Sequence, residues 1–256
     1  MILKLMKKEW KEFIKTGKFY ALLFSFLFFA VSSPAIAKFT PEIIKSIVES
    51  QQAQGLIIQL PPPTWKDSFL QYLKNLNQII FLILVIVFIG SIAEEKNKGT
   101  AIMIISKGIN RVIWVISKFI FQFLISFAFL LISYILCLYY TFFLFSNFPI
   151  ENSLFSTLLY GIYLFFLLSL ILLSSSLGNN TIQSAGIFFG IFILFNIFSL
   201  FPNLNSYNPL YLSSLENMWI IGSVELKEAI KPIMSTIIFS FIFLFLGVLH
   251  FNNQEL

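Results

Sequence analysis

Long apolar runs separated by short polar stretches dominate this chain. A helix needs about 20 apolar residues to cross the hydrocarbon of a bilayer, and six windows meet that requirement. Between the fourth and fifth windows stands only LGNNT, which predicts an antiparallel helical hairpin. The pattern therefore predicts an all-α membrane protein with six transmembrane helices, placed at residues 19–37, 75–93, 119–145, 154–177, 182–201 and 233–251.

Residues 1–18 have a different pattern. Leu3, Met6, Trp10 and Phe13 recur at steps of three and four residues, and lysines occupy most of the other positions. Such spacing predicts an interfacial amphipathic helix that lies on the inner leaflet before the first span. The alternative is an ordinary basic flank of a membrane helix.

The remaining polar stretches are predicted to be loops. Residues 38–74 and 202–232 are assigned to the extracellular side and residues 94–118 to the cytoplasmic side. In the first loop, Thr40 is expected to cap a short helix, and Thr64 with Asp67 to form a capping box before span two. In the loop at 202–232, VELKEAI predicts another short helix.

The positive charges predict the orientation. With a cytoplasmic N-terminus, eleven Lys and Arg residues lie on the inner side and six on the outer side, out of 17 in the chain. Because Lys and Arg accumulate on the cytoplasmic side of membrane proteins, both termini are expected to be cytoplasmic. The multi-pass chain is expected in the plasma membrane.

The composition supports a bilayer location and excludes several kinds of function. The chain is 58% hydrophobic and 11% charged, against roughly 25% charged residues in soluble domains. A single cysteine, Cys137, excludes a disulfide framework, and with only one histidine, His250, we expect no metal site. The net charge of +5 does not predict nucleic-acid binding, because the basic residues flank apolar runs.

The six windows themselves contain no Asp, Glu, Lys or Arg. Ion-driven carriers keep ionisable residues within their spans, so this class is disfavoured. The chain also lacks the phosphate-binding pattern GxxxxGK[ST], and we expect no enzymatic activity and no cofactor on it. Gly186 and Gly190 form a GxxxG pattern, a weak indication of close helix packing.

The stretch EEKNKGTAIMIISKGINRVIWVISK at 94–118 interrupts the apolar pattern. Gly99 and Thr100 break the chain, residues 101–106 predict a short apolar helix on the membrane surface, and Gly108 ends it. Arg111 and Lys118 are expected to anchor span three at the lipid headgroups. An exposed helix this apolar requires a protein groove or the membrane surface; the alternative is a plain basic connection.

This stretch resembles the inner loop of the permease subunits of type-2 ABC exporters. Their loop reads E-[RK]-x-[RK]-G-T-x-x-x-[LI]-[LI]-S-x-P-x-x-R, followed by a Lys. Gly108 replaces the usual Pro, and the N-terminal KEW also resembles the family's opening helix. The matching positions here are Glu95, Lys96, Lys98, Gly99, Thr100, Ile104, Ile105, Ser106, Arg111 and Lys118.

The resemblance implies a six-span permease driven by a separate cytoplasmic ATPase dimer, which would bind ATP and Mg. A second permease subunit, identical or related, would complete the channel. The ATPase would grip the short helix, so the predicted coupling residues are Glu95, Gly99, Thr100, Ile102, Ile104, Ile105, Ser106 and Arg111. The charge-free windows suggest export of an amphipathic or hydrophobic peptide, lipid or drug. The alternative is a non-transporting immunity or sensor protein that binds a peptide through its outer loops.

Overall fold

The computed structural model describes residues 2–50, 61–145 and 150–254, with side chains except at 47–50 and 203. Within these ranges the chain forms helices and turns, without strands. A π-helical segment, Leu76–Ile80, follows α3. The α-helices are α1 (Ile2–Lys15), α2 (Lys18–Ser50), α3 (Trp65–Asn75), α4 (Phe81–Phe88), α5 (Ala93–Asn97), α6 (Thr100–Ile105), α7 (Arg111–Leu144), α8 (Ile150–Leu177), α9 (Thr181–Phe198), α10 (Pro202–Asn205), α11 (Tyr211–Ile221) and α12 (Leu226–Asn253).

Six segments of the described residues are long and apolar enough to cross a membrane. Span two is the run Trp65–Asn97, from α3 to α5, and the other spans are α2, α7, α8, α9 and α12. The predicted all-α fold with six transmembrane helices is therefore confirmed. The helices extend beyond several predicted windows, because they continue into polar residues that a hydropathy window excludes.

The bundle has two ends, and long-range hydrogen bonds identify them. At one, the loop end, Arg111 donates to the Gln254 carbonyl and Thr181 to Glu94. At the other, the distal end, the Lys66 ammonium donates to the carbonyl oxygen of Ile221. The loop end thus carries the segment between spans two and three, and the distal end carries α11.

The helix expected to start at Thr40 is not a separate element. Helix α2 continues through Thr40 and Pro41, and the Thr40 hydroxyl donates back to the Ile36 carbonyl at 2.6 Å. The predicted cap is therefore wrong, because a threonine inside a helix can satisfy its hydroxyl on the preceding turn. Part of the predicted loop, residues 51–60, lies outside the described residues.

Two other helix starts can be compared with the prediction. Helix α3 begins at Trp65, and the Asp67 carboxylate accepts the Thr64 backbone N–H at 2.8 Å, which confirms the capping box. The predicted short helix VELKEAI is wrong as a separate element, because α12 begins at Leu226 and continues without a break to Asn253.

Helix α8 lies at the centre of the bundle, packed mainly against α12. A Cβ added to Gly247 of α12 would lie 3.3 Å from the Leu173 Cα, so this glycine permits a close crossing. Buried serines of α8 bond the preceding turn or a neighbour; Ser175 Oγ accepts the Ile92 N–H at 2.9 Å. This bond caps the break between α4 and α5 and thereby positions the start of the loop segment.

Candidate functional site

The loop segment folds as a short helix between two glycines with positive φ. Helix α6 spans Thr100–Ile105, with Gly99 at φ 68° before it and Gly108 at φ 78° after it. Glycine adopts this left-handed conformation without the penalty that a Cβ imposes. The predicted short apolar helix, and its end at Gly108, are confirmed.

The apolar side chains of α6 divide into a packed set and an exposed set. Ala101 is buried, and Ile104 and Ile105 are half-buried against the core. Ile102 is 48% exposed and Met103 is 63% exposed. We call Ile102 and Met103 the free face of α6. Of the predicted coupling isoleucines, Ile104 and Ile105 therefore hold the helix in place, and Ile102 remains available to a partner or to lipid.

The predicted polar residues of this segment make local bonds. The Thr100 hydroxyl donates to the Glu95 carbonyl at 3.2 Å, and the Ser106 hydroxyl donates to the Met103 carbonyl at 3.1 Å. Both bonds stabilise the turns that flank α6. Thr100 is half-buried and Ser106 is exposed, and both hydroxyls are engaged in these local bonds.

Glu95 belongs to a cluster of charged side chains that joins three elements and is largely buried except at Lys8. Its Oε1 accepts from Lys118 Nζ at 2.7 Å and from Lys8 Nζ at 2.8 Å. Lys118 also donates to Glu9 Oε1 at 2.9 Å. We call Lys8, Glu9, Glu95 and Lys118 the ion cluster. It connects α1 with α5 and α7, and therefore fixes the N-terminal helix beside the start of α6.

Lys118 was expected at the lipid headgroups, and that prediction is wrong. Its side chain is 2% exposed, and its ammonium lies 4.8 Å from the ring centre of Trp114. A buried ammonium is costly unless carboxylates surround it. Glu9 and Glu95 supply those carboxylates, and Glu9 comes from α1, which a span-by-span hydropathy analysis does not place near span three.

A cleft of about 340 Å³ adjoins the ion cluster between α1, α6 and spans two and three. The carboxylate oxygens of Glu9, Glu12 and Glu95 lie within 4.8 Å of one another beside it. Burial would lower the pKa of Lys8, but its hydrogen bond to Glu95 and the neighbouring carboxylates raise it above its ordinary value. Lys8 thus remains charged and offsets the negative charge of the neighbouring carboxylates.

Arg111 bonds to the end of α12, and its position at the lipid headgroups stays a prediction. Its Nη1 donates to the Asn252 carbonyl at 3.1 Å and the Gln254 carbonyl at 2.6 Å. The last carbonyls of a helix lack partners within it, so a guanidinium is a favourable cap there. Arg111 therefore secures the end of α12 to the start of α7.

Gly186 and Gly190 lie on an exposed face of α9. A Cβ built at either glycine would meet no described atom within 4 Å. The predicted close packing therefore does not occur within the described part of this chain.

A second buried acidic residue, Glu216 at the distal end, was not predicted from the sequence. It lies in α11, and its Oε2 accepts from Asn77 Nδ2 of span two at 3.0 Å. The available signal was the apolar content of YLSSLENMWII, which is too hydrophobic for an exposed loop and surrounds a single charge.

Comparison with known proteins supports a single family. The family model described as "ABC-2 family transporter protein" matches residues 3–256 of this chain. An uncharacterized transmembrane protein, YxlG of Bacillus subtilis, is 25% identical over 162 residues. That match covers 63% of this chain and 62% of the relative, so the chain spans less than two thirds of the curated relative it matches.

Proposed function

We propose that this chain, which belongs to the ABC-2 family of transporter proteins, exports an amphipathic or hydrophobic cargo with energy from a separate ATPase subunit. Its place in this family and its six membrane-capable helices make it a multi-pass membrane permease. A pair of permeases, identical or related, would form the channel, and a pair of ATPases would bind ATP and Mg.

The orientation is part of this proposal. Both termini and the loop end are cytoplasmic, because eleven of the 17 basic residues belong to residues 1–18 and the segment 94–118. This places the distal end, with α11, outside the cell. It also presents α6 to a cytoplasmic partner.

The observation that carries the proposal is the free face of α6. Ile102 and Met103 are exposed on a helix whose other apolar side chains are packed. Beside it, the ion cluster joins α5 to α1 and α7 through bonds of 2.7 to 2.9 Å. Because the ion cluster fixes α5 to α1 and α7, a force applied to the free face would be transmitted to spans two and three.

The test replaces each exposed apolar side chain of the free face by a charged one. Ile102→Asp and Met103→Asp permeases are purified from native membranes, and the copurifying ATPase and its ATP hydrolysis are measured. We expect both to fall at least roughly 10-fold, because burying an uncompensated charge in an apolar interface costs several kcal/mol. Leu226→Asp is the matched control, since Leu226 is 59% exposed at the distal end and should leave both unchanged.

Two results would contradict the proposal. One is an ATPase that copurifies equally with the α6 variants and the wild-type chain. The other is a functional wild-type protein without any ATPase, which would support the immunity or sensor alternative.

A further inference from the structure

A polar recess opens at the distal end between span two and α11. Its volume is about 350 Å³. Apart from Leu70, its lining consists of uncharged amides and hydroxyls with one ammonium group. These polar lining residues are Lys74, Asn77, Gln78, Ser213, Ser214 and Asn217.

The π-helical segment Leu76–Ile80 forms the span-two wall of the recess. It carries Asn77 and Gln78, and the Tyr160 hydroxyl of α8 donates to the Leu76 carbonyl at 3.1 Å. Single-turn π segments inside α-helices are frequent at functional sites, because the wider turn frees backbone groups and redirects side chains. Here the segment brings two consecutive amide side chains to the recess.

Behind the recess lies the buried carboxyl of Glu216. Asn77 Nδ2 donates to Glu216 Oε2 and to the Leu73 carbonyl, both at 3.0 Å. Glu216 Oε1 and Asn77 Oδ1 are buried and have no hydrogen-bond partner among the described residues. Buried polar atoms without partners are costly, so this pair is a place where a bound molecule or water can supply the missing hydrogen bond.

The surface beyond the recess is apolar. Leu82 is 47% exposed and Ile86 is 73% exposed, at four-residue steps after Gln78 on span two. We call these two residues the apolar strip. Lipid cannot satisfy the exposed Gln78 amide, so the surface of span two at Gln78 faces water, a partner or a cargo.

We propose that the recess and the apolar strip together bind an amphipathic peptide as cargo; this inference rests on the proposed function. Side-chain amides donate and accept hydrogen bonds, as the backbone of an extended peptide requires. Lys74 at the rim provides a positive charge for the peptide's C-terminal carboxylate, and the apolar strip receives its hydrophobic side chains. A phospholipid headgroup is a poorer match, because Lys74 is the single cation among the described lining residues.

The experiment measures binding of a defined probe to the purified permease in nanodiscs, without ATPase. The probe is a fluorescein-labelled 20-residue peptide of Leu, Ser and Lys, prepared with a free C-terminal carboxylate and as the C-terminal amide. Gln78→Ala and Asn217→Ala should each weaken binding of both peptides by roughly 3- to 10-fold, the value of one lost hydrogen bond. Lys74→Met should weaken binding of the carboxylate form and leave the amide form unchanged.

Lys227→Met is the matched control, an exposed lysine at the same end of the bundle, and should bind both peptides as the wild type does. Cysteine labelling tests the recess separately. Gln78→Cys should react with a charged, water-soluble thiol reagent and be protected by the peptide. Ile135→Cys, exposed on α7, should not react.

Three results would overturn the proposal that the recess binds a peptide. They are a wild-type protein that does not bind the peptide, recess variants that bind it normally, and displacement of the peptide by phosphatidylglycerol at equimolar ratio. Each differs from failure of the proposed function, which would appear as a missing ATPase partner while peptide binding persists.

Discussion

Lys118→Met provides the strongest test of the ion cluster. The substitution keeps the length of the side chain and removes the ammonium that contacts Glu9 and Glu95 at 2.9 and 2.7 Å. Removing one partner of a buried pair costs about 3–5 kcal/mol, because the opposite charge is left uncompensated. Lys8 remains 2.8 Å from Glu95 and compensates part of that charge. We therefore expect a loss near the lower limit, about 3 kcal/mol.

The assay is thermal unfolding of the purified protein in detergent. A loss of this size should lower the apparent melting temperature by on the order of 10 °C. Lys98→Met is the matched control, because its ion pair with Glu94 is longer, 3.5 Å, and exposed. Exposed pairs contribute about 0–1 kcal/mol, so the control should melt within about 4 °C of the wild type.

The double variant Lys118→Met/Glu95→Gln separates charge from packing. If uncompensated charge is the cause, neutralising Glu95 should restore part of the stability lost by Lys118→Met, with a coupling free energy of roughly 0.5–3 kcal/mol. The reasoning is refuted if Lys118→Met melts like the wild type. It is also refuted if the two losses simply add.

Two further predictions concern single positions. Gly99→Val should reduce ATP hydrolysis by the complex and lower stability by about 1–3 kcal/mol, because a β-branched residue is strained at φ 68° although a Cβ there meets nothing within 4 Å. Gly99→Asn should be milder in the same assays, since asparagine tolerates this conformation, and equal effects of both substitutions would exclude backbone strain. Burial raises the pKa of the Glu216 carboxyl well above its usual value, opposed in part by the Asn77 hydrogen bond, so the folded state keeps a proton that the unfolded state loses above about pH 4.3. The protonated carboxyl's contribution to stability declines as pH rises. The melting temperature of the wild type should therefore fall relative to that of Glu216→Gln between pH 5 and pH 8. A difference in melting temperature between the two proteins that stays constant over this pH range would contradict the burial of an ionisable group.

Hydropathy predicted the number and order of the spans, because apolar length is the property that a bilayer selects. It did not predict the helix ends. Thr40 and Pro41 lie inside α2, and the helix expected at VELKEAI is the first part of α12. Backbone hydrogen bonds can continue a helix into polar sequence. A hydropathy average over a window of residues takes no account of these bonds, so it does not predict where the helix ends.

Of the candidate site, only the short helix between Gly99 and Gly108 was predicted from the sequence. Gly99, Gly108 and the apolar residues between them indicate a short surface helix from sequence alone, since turn chemistry and periodicity are local. The burial of Lys118 depends on Glu9, which is 109 residues away in sequence and comes from α1. No local pattern contains that pairing. A lysine seven residues inside a helix that enters the membrane was the available hint, because such a charge requires a carboxylate partner.

Span two connects the two ends of the bundle in a way that hydropathy alone does not indicate. Glu95 at one end joins the ion cluster, and Asn77 at the other lines the polar recess. Eighteen residues separate them, about 27 Å along a helix. Between them, α4 is uninterrupted from Phe81 to Phe88, and Ser175 secures the break that follows. Helix α8 holds Glu216 in place, because the Ser156 hydroxyl donates to the Glu216 carbonyl. An α-helix transmits displacement along its axis. A tilt imposed at the free face of α6 would therefore move Asn77 relative to Glu216. Under the proposed function, movement at α6 would therefore act on the hydrogen bond between Asn77 and Glu216 behind the recess.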